Sequence, residues 1–200
     1  MSARTWLDAS KLPSHAFGSR NLMWWGSVGF VVIEGAMFAM LIATTLYLRG
    51  ATASWPPPGF APPSLLWGTL NTGVLLVSLW PNNRLRKAAE ALDEKATRRW
   101  MWIDDSFAVA FLAVRAVELT ALGVRWDANA YGSAVWAVMG FHTLHLLTDA
   151  IETFVITWFF HLDPSPKRYI EVSEDCLYWN FVVLSWLPLY AVVYWLPRWT

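Results

Sequence analysis

Five apolar stretches alternate with short polar or proline-rich connections, and each is long enough for a transmembrane helix. The first covers about residues 23–48 and is interrupted only by Glu34. The second, about 64–80, is short and is stopped by Pro81. The third, about 106–124, contains Arg115 and Glu118. The fourth, about 131–160, carries "GFHTLHLLTDAIETF" (residues 140–154), where His142, His145, Asp149 and Glu152 break an apolar run. The fifth, about 176–196, contains Pro188, which is expected to kink it. Trp24, Trp25, Trp67, Trp80, Trp102, Trp126, Trp158 and Trp195 lie near the span ends, as aromatic belts do.

The connections leave no room for a folded soluble domain, and no internal repeat is visible. "WPPPGFAPPS" (residues 55–64) favours extended backbone. "NNRLRKAAEALDEKATRR" (residues 82–99) reads as a polar, helical surface segment. The expected architecture is an all-α membrane protein, a five-transmembrane-helix bundle, with a polar N-terminal segment (residues 1–22) before a single domain (residues 23–197). Charge orients it. Arg4, Lys11, Arg20, Arg84, Arg86, Lys87, Lys95, Arg98, Arg99, Lys167 and Arg168 fall on one set of flanks. Only Arg49, Arg125 and Arg198 fall on the other. The positive-inside rule then puts the N-terminus inside and the C-terminus outside.

Composition agrees. Hydrophobic residues make up 56% and charged residues 15%, with 15 tryptophans. Soluble domains carry roughly 25% charged residues. A formal net charge of zero argues against nucleic acid as a partner. The single cysteine, Cys176, excludes an internal disulfide and a Cys-based metal cluster. Residues 1–22 are polar and the first apolar run is too long for a signal h-region, so no cleavable leader is expected.

Ionisable groups at membrane depth need a partner or water. On a helix, His142, His145, Asp149 and Glu152 lie within about 80° of one another. Such a stripe can hold a metal, relay protons or bind a neighbouring helix. A di-metal carboxylate bundle needs Glu-x-x-His pairs on two helices, whereas here one helix offers His-x-x-His. His15 and His161 complete a total of four histidines, too few for a membrane di-iron enzyme of the desaturase kind. A haem with two axial ligands usually needs His on facing helices, and His142 and His145 share one. The favoured reading is an interhelical polar stripe. Arg115 and Glu118, three apart, can pair. Glu34, with no charge nearby in its own span, is a candidate for a proton path or an interhelical hydrogen bond. Nucleophile elbows, Walker loops and dinucleotide fingerprints are absent. The residues by themselves give a five-helix membrane protein with buried polar groups and no cofactor site of its own.

Read in order, five motifs resemble subunit III of the haem-copper oxidases, the cytochrome c or quinol oxidase subunit 3 family. "GFVVIEGAMFAMLIATTLYL" (residues 29–48) resembles the helix with a single membrane glutamate, a place Glu34 takes. "LNTGVLLVSLW" (residues 70–80) is similar to the Leu-Asn-Thr run ending in Ser. "RAVELTAL" (residues 115–122) resembles Gln-x-x-Glu-Tyr, with Arg115 and Leu119 replacing Gln and Tyr. "YGSAVWAVMGFHTLHLL" (residues 131–147) resembles Tyr-Gly-Ser followed by Gly-x-His-x-x-His. "YWNFVVLSWLPLYAVVYW" (residues 178–195) resembles Tyr-Trp-His-Phe-Val-Asp, with Asn180 and Val183 replacing His and Asp. The match spans about residues 20–197.

The resemblance implies a subunit without a redox centre. Haem and copper would sit in partner subunits I and II, and this chain would pack on subunit I, hold phospholipid and support proton uptake. Cytochrome c or quinol would supply the electrons. By the same resemblance Glu34, Glu118, His142 and His145 are proton-path or lipid-cleft groups, and no residue is catalytic or a metal ligand. Many members have seven helices, so this is a short five-helix form. Asp149 stands where the family usually has Gly, and Glu152 where it is apolar. The expected identity is subunit III of a terminal oxidase in a bacterial inner membrane, reducing oxygen to water and moving protons. Alternatives are an accessory protein of a nitric oxide reductase system and a stand-alone small membrane transporter.

Overall fold

In the computed structural model, residues 16–199 are described. Most of the segment expected at 1–22, with Arg4, Lys11 and His15, lies outside them. The described chain forms α1 (Leu22–Gly50), α2 (Leu65–Glu90), α3 (Glu94–Thr120), α4 (Ala130–Leu162) and α5 (Pro166–Tyr190). A 3-10 turn, Gly18–Arg20, precedes α1. A π turn, Ala191–Trp195, and a 3-10 turn, Leu196–Arg198, follow α5.

Each helix begins at a residue suited to satisfy its free amides. The Asn21, Ser64, Asp93 and Asn129 side chains accept from the amides of Met23, Leu66, Ala96 and Gly132. Pro166 opens α5 at a position where its missing N–H does not matter. Between α2 and α3, Leu92 adopts φ 54° and the Asp93 amide bonds the Ala88 carbonyl, closing the helix as a glycine usually does.

The helices run up and down. At one end Arg49 bonds the Trp199 carbonyl, Arg198 bonds the Pro63 carbonyl, and Trp55 meets Tyr131 edge-on. At the other end Arg98 bonds the His161 carbonyl, Ser173 bonds Glu90, and Tyr169 packs on Phe160. α2 pairs closely with α3 and α5, and α4 closes the other side. α1 lies against α4 and α5, and only its Phe38 and Thr45 are buried. Phe30, Val32, Ile33, Met40 and Tyr47 of α1 are exposed, a surface suited to lipid or another apolar partner. Three helices, Leu22–Gly50, Ala130–Leu162 and Pro166–Arg198, are long and apolar enough to cross a membrane.

The structure corrects three expectations. Pro81 does not stop the second helix, which continues to Glu90. Proline removes one amide donor, but the residues after it bury Asn82, Leu85, Ala88 and Ala89 against the bundle, and Asn82 donates to the Cys176 carbonyl at 2.9 Å. For the same reason residues 82–99 are not a separate surface segment: they are the joined ends of α2 and α3, with Thr97 also buried. The fifth helix begins at Pro166 instead of near Cys176, so Glu171, Glu174 and Asp175 lie on a helix. Beyond Pro188 the hydrogen-bond register loosens into the π turn.

Candidate functional site

The polar residues picked out in the sequence fall into two clusters. The first centres on Arg115 and Glu118 of α3, each only 1% exposed. Their spacing brings Arg115 Nη1 to 3.2 Å from Glu118 Oε2. Asn71 of α2 donates to the same oxygen at 2.8 Å, and the Tyr194 hydroxyl donates to Oε1 at 2.6 Å. Arg115 Nη2 donates to His142 Nδ1 at 3.3 Å, and His142 Nε2 donates to the Val182 carbonyl at 3.1 Å. That assignment makes His142 the Nε2–H tautomer. The guanidinium lies 4.2 Å over the Trp186 ring, which also stacks on His142 at 4.6 Å. Trp186 Nε1 donates to Thr72 at 2.8 Å. α2, α3, α4 and the α5 segment with its π turn thus meet in one ionic knot. Gly68 makes it possible, because a Cβ there would collide with the Tyr194 ring.

Asn71, Thr72, Trp186 and Tyr194 were not singled out as functional from the sequence. The available signal was the Leu-Asn-Thr run, whose Asn and Thr point polar atoms into an apolar helix.

The second cluster begins at Glu34. The Tyr178 hydroxyl donates to Glu34 Oε2 at 2.6 Å, and His145 Nε2 lies 3.5 Å from Oε1. His145 Nδ1 donates to the Phe141 carbonyl at 2.6 Å. Nε2 therefore faces the carboxyl as a lone pair unless a proton is added. Glu34 is half-buried, because α1 covers little of itself.

The stripe on α4 accordingly divides. His142 and Asp149 face inward, while His145 and Glu152 face the α1 side and are partly or fully exposed. The two histidines serve different partners. Asp149, expected to bond a neighbouring helix, does not: among the described residues both its carboxylate oxygens lack a hydrogen-bond partner although it is only 1% exposed. Glu34, Asp149 and Glu152 line one cavity of about 420 Å³ between α1, α4 and α5, together with Glu174, Asp175 and Tyr178. Thr153 donates to Asp175 at 3.1 Å. On the α3 side, Asp105 accepts from Thr157 at 3.3 Å, while Asp104 Oδ1 is unpartnered. The acids of α5 escaped notice because they precede the apolar run. Val183 packs in the apolar core and Asn180 reaches Asn83.

The family model for cytochrome c oxidase subunit III matches residues 7–198, nearly the whole chain. This chain belongs to the cytochrome c oxidase subunit III family. Over 177 residues it is 28% identical to cytochrome c oxidase subunit 3 of Thermostichus vulcanus, covering 86% of this chain and 87% of that one. Over 198 residues it is 27% identical to cytochrome c oxidase subunit 3 of Synechocystis sp., covering 94% and 83%. The subunit 3 of Canis lupus is 30% identical over 187 residues, covering 86% of this chain and 68% of the relative. Membership of this family makes the chain a multi-pass membrane protein and a subunit of a haem-copper oxidase.

Proposed function

We propose that this chain is the subunit III of a bacterial inner-membrane terminal oxidase that takes electrons from cytochrome c or quinol, reduces oxygen to water and moves protons. All five helices cross the membrane, α2 and α3 included, with the N-terminus inside and the C-terminus outside, as the distribution of Lys and Arg requires. Haem and copper reside in partner subunits. The exposed apolar surface of α1 and its neighbours takes phospholipid or packs on subunit I, with subunit II in the same complex. The observation that carries this reading is the family match over residues 7–198; the Glu34–Tyr178–His145 contact joins α1, α5 and α4 at the glutamate that resembles the family's single membrane glutamate. A carboxyl in contact with an imidazole inside a membrane helix bundle suits a group that takes part in proton uptake.

The test is affinity purification through a tag on this chain in mild detergent, followed by a reduced-minus-oxidised visible spectrum. Haem bands and larger co-purifying chains support the oxidase reading. A colourless single-chain preparation overturns it in favour of a transporter. In the purified complex, Glu34→Gln should leave assembly and haem content unchanged while slowing proton-coupled turnover. Failure to assemble would make Glu34 a structural group instead.

A further inference from the structure

We propose that the carboxylate-lined cavity between α1, α4 and α5 binds a hydrated divalent metal cation, held through its water shell by Asp149, Asp175, Glu152 and Glu174. Glu34 lines the same cavity, and the argument does not rest on the oxidase reading.

Three observations converge. The first is charge. Glu34, Asp149, Glu152, Glu171, Glu174 and Asp175 line the cavity, and no Lys or Arg does among the described residues. Lys167 and Arg168 bond Glu171, and Glu174 has Ser27 and the more distant Arg86, which leaves Asp149 and Glu152 without an ion pair among the described residues. A buried carboxylate without a partner costs several kcal/mol, and a cation is one way to offset that cost. The second is the orphaned group. Asp149 is 1% exposed, lines the cavity and has no partner on either oxygen. Glu174 Oε2 is likewise buried and unpartnered.

The third is shape. No three His, Cys, Asp or Glu side chains among the described residues are placed to hold a metal ion directly. A bare ion in an inner-sphere cage is therefore the wrong occupant. A volume of about 420 Å³ holds on the order of ten waters at roughly 30 Å³ each. It admits an ion together with its first water shell. Mg2+ sheds water reluctantly and keeps several waters when protein-bound, with one or two carboxylates sufficient to hold it. The water hydrogens of such an ion point outward and donate to carboxylates spaced too widely to touch the metal. Gly26 and Ser27 of α1 form the third wall, and the exposed Glu152 lies at its edge.

The probe is Mn2+, read by electron paramagnetic resonance on whatever assembly the tagged chain purifies in, after chelator treatment. Failure of the oxidase reading therefore leaves this test intact. The wild-type assembly should bind one more Mn2+ than the Asp149→Asn/Asp175→Asn variant. Hexaamminecobalt(III), whose ligands do not exchange, should displace that ion. Equal Mn2+ stoichiometry in the two assemblies overturns the site. An extra Mn2+ that hexaamminecobalt(III) fails to displace overturns the water-mediated mode. If the double variant does not assemble, Glu152→Gln at the exposed mouth takes its place. It should weaken Mn2+ binding about tenfold, as loss of an outer-shell partner does, and unchanged affinity would overturn the proposal.

Discussion

The Arg115–Glu118 knot and the Asp149 cavity are both built from charged groups at helix interfaces, yet they solve the burial problem in opposite ways. In the knot, Glu118 receives hydrogen bonds from Asn71 and Tyr194 as well as the Arg115 guanidinium. Arg115 in turn is held by His142 and the Trp186 face. Charge is compensated inside the chain, and α2, α3, α4 and α5 are tied by it. In the cavity, Asp149 has no partner, and Asp175 has the hydroxyl of Thr153. Compensation there falls to a retained proton or to the ion proposed above. A buried polar group that is saturated specifies a fold, whereas one left unsatisfied marks a place where a ligand or proton is handled.

This contrast can be broken by substitution. Glu118→Ala should have the largest effect, since it strands a buried guanidinium, at about 3–5 kcal/mol. The complex should lose this chain on gentle heating, read as a fall in its thermal midpoint. A midpoint close to wild type would mean the knot is not holding the helices. Tyr178→Phe removes one hydrogen bond to Glu34 and should destabilise by about 0.5–1.5 kcal/mol, a small but measurable shift in the same assay. Asp149→Asn, in metal-free buffer, should leave the midpoint unchanged or raise it, because the charge it removes has no partner to lose. A loss as large as that of Glu118→Ala would abolish the distinction between the clusters.

The smallest effect belongs to Arg125 and Asp127 in the loop between α3 and α4. Their hydrogen bonds, at 2.7 and 3.0 Å, hold the Asp127 carboxyl below its usual range. A lowered carboxyl value means the contribution is present above the ordinary value of 3.8 and is lost as pH falls through the lowered one. Both side chains are exposed, so solvent screens the pair. Asp127→Asn should leave the thermal midpoint at pH 7 within experimental scatter, and a clear drop would show that the loop is buried against a partner subunit.

Periodicity and length made the five helices legible, because apolar runs of membrane length leave few alternatives. Pairing of Arg115 with Glu118 was legible too, since a spacing of three on a helix places the two groups side by side. Helix ends were less so. Residues 82–99 and 166–175 are polar in composition, and only packing on neighbours decides that Asn82, Leu85 and Asp175 are buried. Sequence by itself thus determined the membrane-helix class, the family and the positions of the rare charged residues. The tertiary structure decided which partners those charges meet. His142 and His145 are three apart on one helix, but one faces Arg115 and the other Glu34. Asp149 of α4 and Asp175 of α5 are brought to one cavity by the packing of the two helices. Hydropathy and spacing describe one helix at a time, and a charge inside a membrane is satisfied or left orphaned by the helices packed around it.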